Sequence, residues 1–233
     1  MSDSKPLIIA LDFADSRAAY QLVDQLDPGL CRIKIGKEMF TRYGPELVKR
    51  ITASGFDIFL DLKFHDIPNT VAGAVSAAAD LGVWMVNVHA GGGRAMMEAA
   101  RKSLGDKPAT RLIAVTVLTS LSSQDLHEVG VSGSAEEQVA RLARLTAESG
   151  LDGVVCSARE IALLRQNLKP DFLLVTPGIR PAGDDAGDQK RTETPATALA
   201  RGSNYLVIGR PVTQAADPLL KLRQIMQEIH SKI

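Results

Sequence analysis

Short apolar runs recur along this chain, each followed by a segment of helical spacing, and the alternation repeats eight times with no break in composition. The runs fall at residues 7–13, 32–36, 57–64, 85–89, 111–118, 153–157, 172–176 and 205–210. Helix-like segments separate them, and two of these stop at Gly55 and Gly82, where a left-handed residue would end a helix. Strands alternating with helices build a parallel sheet, and such a sheet must be covered on both faces. Eight units of about 25 to 30 residues predict one (β/α)8 TIM barrel domain spanning 1–233. The other architecture open to this pattern is a doubly wound open sheet. Its dinucleotide-binding version would place GxGxxG after the first strand, and none is there.

A hydrophobic fraction of 45% allows a sizeable core, and a charged fraction of 23% is ordinary. The formal net charge of zero argues against a protein that coats nucleic acid, but it permits a local anion pocket. Residues 1–6 lack the pattern of a secretory signal, and no apolar run reaches membrane-span length. A cytoplasmic protein without membrane or nucleic-acid partners is the expectation. Cys31 and Cys156 are far apart, each in or beside an apolar run, and read as buried free thiols. There is no CxxC and no HExxH, hence no strong metal motif.

The chemistry concentrates where strands end. In 61–70, DLKFHDIPNT, strand alternation puts Leu62 and Phe64 on one face and Asp61 and Lys63 on the other. Asp66 follows three residues later, and two acids beside a lysine would keep it charged and in place. Taken alone, this string fits a structural ion pair, with Asp66 as helix N-cap and Pro68 in the first turn, as well as it fits a catalytic group. The other strand ends break the tie. Asp12, Lys34, Thr119, Arg180 and Arg210 also lie at or near them, and in a barrel these ends form one rim. Gly209 and Arg210, after the eighth strand, suit a phosphate, as does Arg180 after the seventh. The polar segment at about 181–194 reads as a lid-like loop that carries Gln189. Gly91–Gly93 can cradle an anion but fit a tight turn better. His65 lies past the strand end and can bond its own loop, and His89 reads as an inward core histidine.

These residues resemble the orotidine 5'-phosphate decarboxylase family. The similarity covers DLKFHDIPNT at 61–70, Ala10–Asp12, Lys34–Gly36, Leu118–Ser120, Pro177–Arg180, Gln189 and Ile208–Arg210, in order over nearly the whole chain. It implies conversion of orotidine 5'-phosphate to uridine 5'-phosphate in pyrimidine synthesis, with no metal and no organic cofactor. It implies a homodimer in which Asp66 and Thr70 reach the neighbour's site. By the same resemblance Lys63 gives a proton to C6 of the pyrimidine, flanked by Asp61 and Asp66. Lys34 and Asp12 hold ribose hydroxyls, Thr119 meets the pyrimidine, and Pro177 lines the substrate site. Arg180, Gln189, Gly209 and Arg210 grip the phosphate.

Two rival readings remain at this stage. One is a magnesium-dependent sugar-phosphate decarboxylase or lyase, which would share the D-x-K-x-x-D string on the same barrel. The other is a catalytically silent phosphate-binding barrel.

Overall fold

A parallel strand with apolar side chains on both faces is stable only when both faces are covered. The computed structural model describes residues 5–105, 109–183 and 193–231, and in it the eight runs meet this condition by closing on themselves. The strands are Leu7–Leu11 (β1), Cys31–Gly36 (β2), Ile58–Phe64 (β3), Met85–His89 (β4), Arg111–Val115 (β5), Gly153–Val155 (β6), Leu173–Thr176 (β7) and Tyr205–Ile208 (β8). Each pairs in parallel with the next, and β8 pairs with β1. The expected (β/α)8 barrel is the observed fold.

Side chains of one parity, among them Leu7, Ile9, Ile33, Ile35, Ile58 and Leu60, pack outward into the core shared with the helices. Those of the other parity, Ile8, Phe59, Met85, Ile113, Val175 and Tyr205, fill the barrel. The helices are Ser16–Val23 (α1), Lys37–Ala53 (α2), Pro68–Asp80 (α3), Arg94–Ser103 (α4), Ser123–Glu128 (α5), Ala135–Glu148 (α6), Ile161–Asn167 (α7), Pro195–Ala200 (α8), Arg210–Thr213 (α9) and Pro218–His230 (α10). Asp15 caps α1 by accepting from the Arg17 N–H. Helix α2 is kinked at Gly44, whose φ is 61°, ahead of Pro45. Among the described residues no helix is long and apolar enough to cross a membrane.

Several strands end earlier than their apolar runs. β1 stops at Leu11, β5 at Val115 and β8 at Ile208. After β5 the Thr116 hydroxyl turns to the carbonyl of Val155 (3.1 Å). Asp12, Thr119, Gly209 and Arg210 therefore stand just past strand ends, on the C-terminal rim. Helices α5 and α8 occupy stretches with no apolar stripe to announce them. A Ser122–Asp125 capping box starts α5, and Thr194 caps α8. Most of the expected lid, including Gln189, lies outside the described residues.

The opposite rim is plugged. The Arg32 guanidinium lies over the Trp84 ring (4.1 Å), and Tyr205 meets Trp84 edge-on (5.0 Å). Arg32 also donates to the Lys5 carbonyl and to Asp57 Oδ2, which Lys5 Nζ approaches to 2.9 Å.

β6 and β7 approach closely at Gly153. A Cβ there would fall on the Leu173 carbonyl oxygen and within 2.5 Å of the Leu173 Cβ. Gly153→Ala should therefore destabilise the barrel by about 2 kcal/mol or more, lowering the melting temperature by at least roughly 4 °C in a thermal unfolding scan.

Candidate active site

Four charged side chains of alternating sign run across the C-terminal mouth. Lys34 Nζ lies 3.6 Å from Asp12 Oδ1 and 3.2 Å from Asp61 Oδ2, and Lys63 Nζ lies 2.6 Å from Asp61 Oδ1. Lys34 is on the inward parity of β2 and Asp61 on that of β3. Their register sets Phe59 opposite Lys34 and Gly36 opposite Asp61, so Lys34 starts one inward step earlier and its long side chain reaches up to Asp61. The middle of the row is the most buried: the side chains of Lys34 and Asp61 are each 11% exposed, and the ends are more open, Lys63 at 25% and Asp12 at 72%.

Asp61 is the centre of the row. Burial alone would raise its pKa, but the charges of Lys34 and Lys63, with hydrogen bonds from Lys63 and Asn87, outweigh burial and hold it below the usual carboxylate range. It is an anion fixed in place before any ligand arrives. Asn87, fully buried on the inward parity of β4, donates from Nδ2 to Asp61 Oδ1 (2.8 Å). Its Oδ1 accepts from the Lys63 backbone N–H (2.8 Å).

Beside the row is a cavity of about 230 Å³. Lys34, Asp61, Lys63, Thr119 and Pro177 line it together with the apolar side chains of Phe59, Val115, Val155, Val175 and Val207. Charges at one edge and a dry wall elsewhere suit a flat, mostly uncharged ring held against cations. A larger groove of about 720 Å³ at the far end of the barrel borders Arg111, Arg144, Asp152 and Lys169. Its charges do not converge: Asp152 is already paired with Arg101 (3.1 Å).

The sequence-derived candidates divide into three groups. Asp12, Lys34, Asp61, Lys63, Thr119 and Pro177 come together at the mouth. Arg180, Gly209 and Arg210 follow β7 and β8 on the same rim but do not line the cavity. Arg180 is half-buried, and its guanidinium donates to the Ile179 carbonyl (2.9 Å). Gly178 turns the chain there with φ 77°. Among the described residues a Cβ beside Gly209 would find only Ala10 Cβ, at 3.8 Å, which leaves a ligand room to approach the backbone. The third group, Asp66 and Thr70, is exposed at the entry to α3. Asp66 is not the N-cap expected from the sequence. Ile67 holds that position, and Asp66 Oδ1 accepts the Ile67 N–H (2.7 Å). With Pro68 at the first helical position, one N–H fewer needs capping.

His89 is half-buried at the rim rather than in the core, its ring 5.6 Å from that of His65. Gly91–Gly93 form the tight turn. Ala90–Gly92 is a 3-10 turn, and a Cβ at Gly92 would strike the Met96 side chain. Cys31 and Cys156 are buried thiols, pushed up to about 12 chiefly by burial. Asn87 is the participant that residue-type reasoning passed over. Its only signal was an amide on the inward parity of an otherwise apolar strand.

Residues 5–225 match the Orotidine 5'-phosphate decarboxylase / HUMPS family. The chain belongs to this family. A protein of Shewanella sediminis named orotidine 5'-phosphate decarboxylase is 63% identical over 97% of this chain and 98% of its own length. A protein of the same name from Nitrosococcus oceani is 60% identical over 96% and 97%. Among solved structures, orotidine 5'-phosphate decarboxylase from Lactobacillus acidophilus superposes with a TM-score of 0.86 at 39% identity, covering 97% of this chain and 99% of that one. An uncharacterized conserved protein from Geobacillus kaustophilus gives 0.85 at 41% identity, covering 96% and 100%.

The lowered pKa of Asp61 has a consequence for stability. The folded carboxyl titrates below the unfolded one. Its stabilisation is therefore complete above the unfolded value and disappears as pH falls through the folded value. Asp61→Asn mimics the protonated state. In urea unfolding the wild-type chain should exceed this variant by about 2–4 kcal/mol at pH 7, and the gap should close as pH drops below about 4.

Proposed function

We propose that this chain removes carbon dioxide from orotidine 5'-phosphate to give uridine 5'-phosphate, and that Lys63 supplies the proton that replaces it. The reaction is the one named by its family and by its relatives, which match almost end to end. The observation that carries the assignment of Lys63 is its ammonium, pinned 2.6 Å from a carboxylate at the edge of an apolar cavity.

The chemistry explains why such an array is worth building. When the bond from C6 to the carboxylate breaks, carbon dioxide leaves and the electron pair stays on C6. No neighbouring group on the ring delocalises it. A fixed cation in a poorly hydrated site stabilises that charge without reorganising. Lys63 then transfers one proton to C6 and recovers another from water. Asp61, held ionised, keeps the ammonium charged and aimed until that step. Lys34 and Asp12 continue the row toward the rim, where they meet ribose hydroxyls, and Thr119 and Pro177 border the base. Arg180, Gly209 and Arg210 take the phosphate at the ends of β7 and β8, where barrels of this kind commonly bind it. A grip so far from the reacting carbon can still contribute to the rate, because its energy is available to order the site.

The functional assembly in this reading is a homodimer working in the cytoplasm. Residues 65–70 are exposed without interruption, and Ile67 is 67% exposed next to the site. An apolar side chain and a carboxylate displayed together suit a second copy of the chain, into whose site Asp66 and Thr70 reach.

Lys63→Ala should lose more than about 10³-fold in kcat while binding uridine 5'-phosphate within about tenfold of wild type. Turnover near the wild-type rate, followed by absorbance, would remove the proton-donor role. Sharing of sites has its own test. Lys63→Ala and Asp66→Ala chains, each inactive alone, should on mixing and re-equilibration regain about a quarter of wild-type activity, since half the dimers are mixed and each has one intact site. No recovery in the mixture would confine Asp66 to its own chain.

A further inference from the structure

β3 does not stay regular up to its catalytic end. Its pairing with β4 runs Phe59 to Met85 and Leu60 to Val86, then jumps to Phe64 opposite Val88. Asp61, Leu62 and Lys63 thus share a single residue of β4 across from them, Asn87. Within the same three residues the backbone turns left-handed: Lys63 has φ 52°, the one positive φ outside glycine among the described residues. A β-carbon disfavours that conformation, and a bulge removes ladder partners from the backbone, so something must hold the turn.

The Asn87 amide is placed to do so. Its oxygen takes the Lys63 N–H that the bulge displaces, and its NH2 group binds the Asp61 oxygen that also receives the Lys63 ammonium. A flipped amide would set its oxygen against the carboxylate and its NH2 against an N–H, so only one orientation works. Because the side chain is fully buried, water cannot substitute for either bond. We infer that Asn87 is a positioning residue for the decarboxylation: it clamps the left-handed turn at Lys63 and the carboxylate of Asp61 as one unit, and so sets where the proton donor stands. This rests on the reading of Lys63 as the donor. Asn87 does not line the cavity, so its loss should act on turnover rather than on nucleotide affinity.

Two variants test this, with Lys63→Ala as control. Asn87→Ala removes both bonds, and kcat should fall about 10²-fold with KM within roughly threefold, in a protein that still melts cooperatively and binds uridine 5'-phosphate. Asn87→Asp has the same shape but sets a carboxylate against Asp61. At neutral pH it should be impaired to a similar degree. As pH is lowered, the introduced carboxyl takes up a proton, donates to Asp61 as the amide did, and still accepts from the Lys63 N–H. Its kcat relative to wild type should therefore rise toward acid pH, a profile that a packing defect cannot produce. The inference is overturned if both variants keep kcat within threefold while Lys63→Ala is inactive, if their loss appears in KM, or if Asn87→Asp shows no acid recovery. Failure of both to fold assigns Asn87 to the core instead. An active Lys63→Ala would overturn the reading of the donor itself, and this inference with it.

Discussion

A carboxylate buried between two ammonium groups organises this molecule. Left unpaired in an apolar barrel, Asp61 would be too costly to ionise. Lys34 from β2, Lys63 two residues along β3 and the amide of Asn87 from β4 together make its charged form the stable one. Each lysine also needs Asp61: without it Lys63 would be a half-buried cation beside another, and the buried Lys34 would keep only the exposed Asp12, at 3.6 Å. The arrangement holds only if three adjacent strands keep their register, and that register is set by the outward-facing apolar residues of the same strands.

The two rims of the barrel use charge in opposite ways. At the N-terminal rim, Arg32 is stacked on Trp84 and bonded to Lys5 and Asp57, so its charge is spent on holding neighbours. At the C-terminal rim the row ends in a lysine facing a cavity, with part of its surface open. Both rims contain cations inside a barrel. Arg32 is committed to its neighbours, whereas Lys63 faces a cavity inside the barrel mouth that a ligand can fill.

Much of this was readable from the amino acids, because strand parity fixes which side chains face inward. Parity put Lys34, Asp61 and Lys63 inside, and the order of strands put their ends on one rim. The unread part has identifiable causes. Nothing in DLKFHDIPNT marks the third residue as left-handed, because lysine has no preference for that conformation and the bulge depends on what β4 presents. Asn87 shows its role only through its two partners, which the sequence does not reveal. Asp66 had the chemistry of an N-cap but sits one position too early, since Ile67 precedes the proline that opens the helix. Helices α5 and α8 are six residues each, too short to show an apolar stripe, and begin on capping bonds, which are weaker sequence signals.

The row of charges and the wall opposite it come from different halves of the polypeptide. Asp12, Lys34, Asp61, Lys63 and Asn87 all precede residue 90, whereas Val115, Val155, Val175 and Val207 enclose the cavity from later strands. The ionic half is synthesised first, and until the barrel closes the face that will become the interior is open to water. Its ions are then fully hydrated and gain little from one another. Only when β8 reaches β1, through Leu206 N–H to the Pro6 carbonyl and the ladder beyond, does the wall come round and strip that water away. The last strand to leave the ribosome is thus the one that gives the first strands their electrostatic strength.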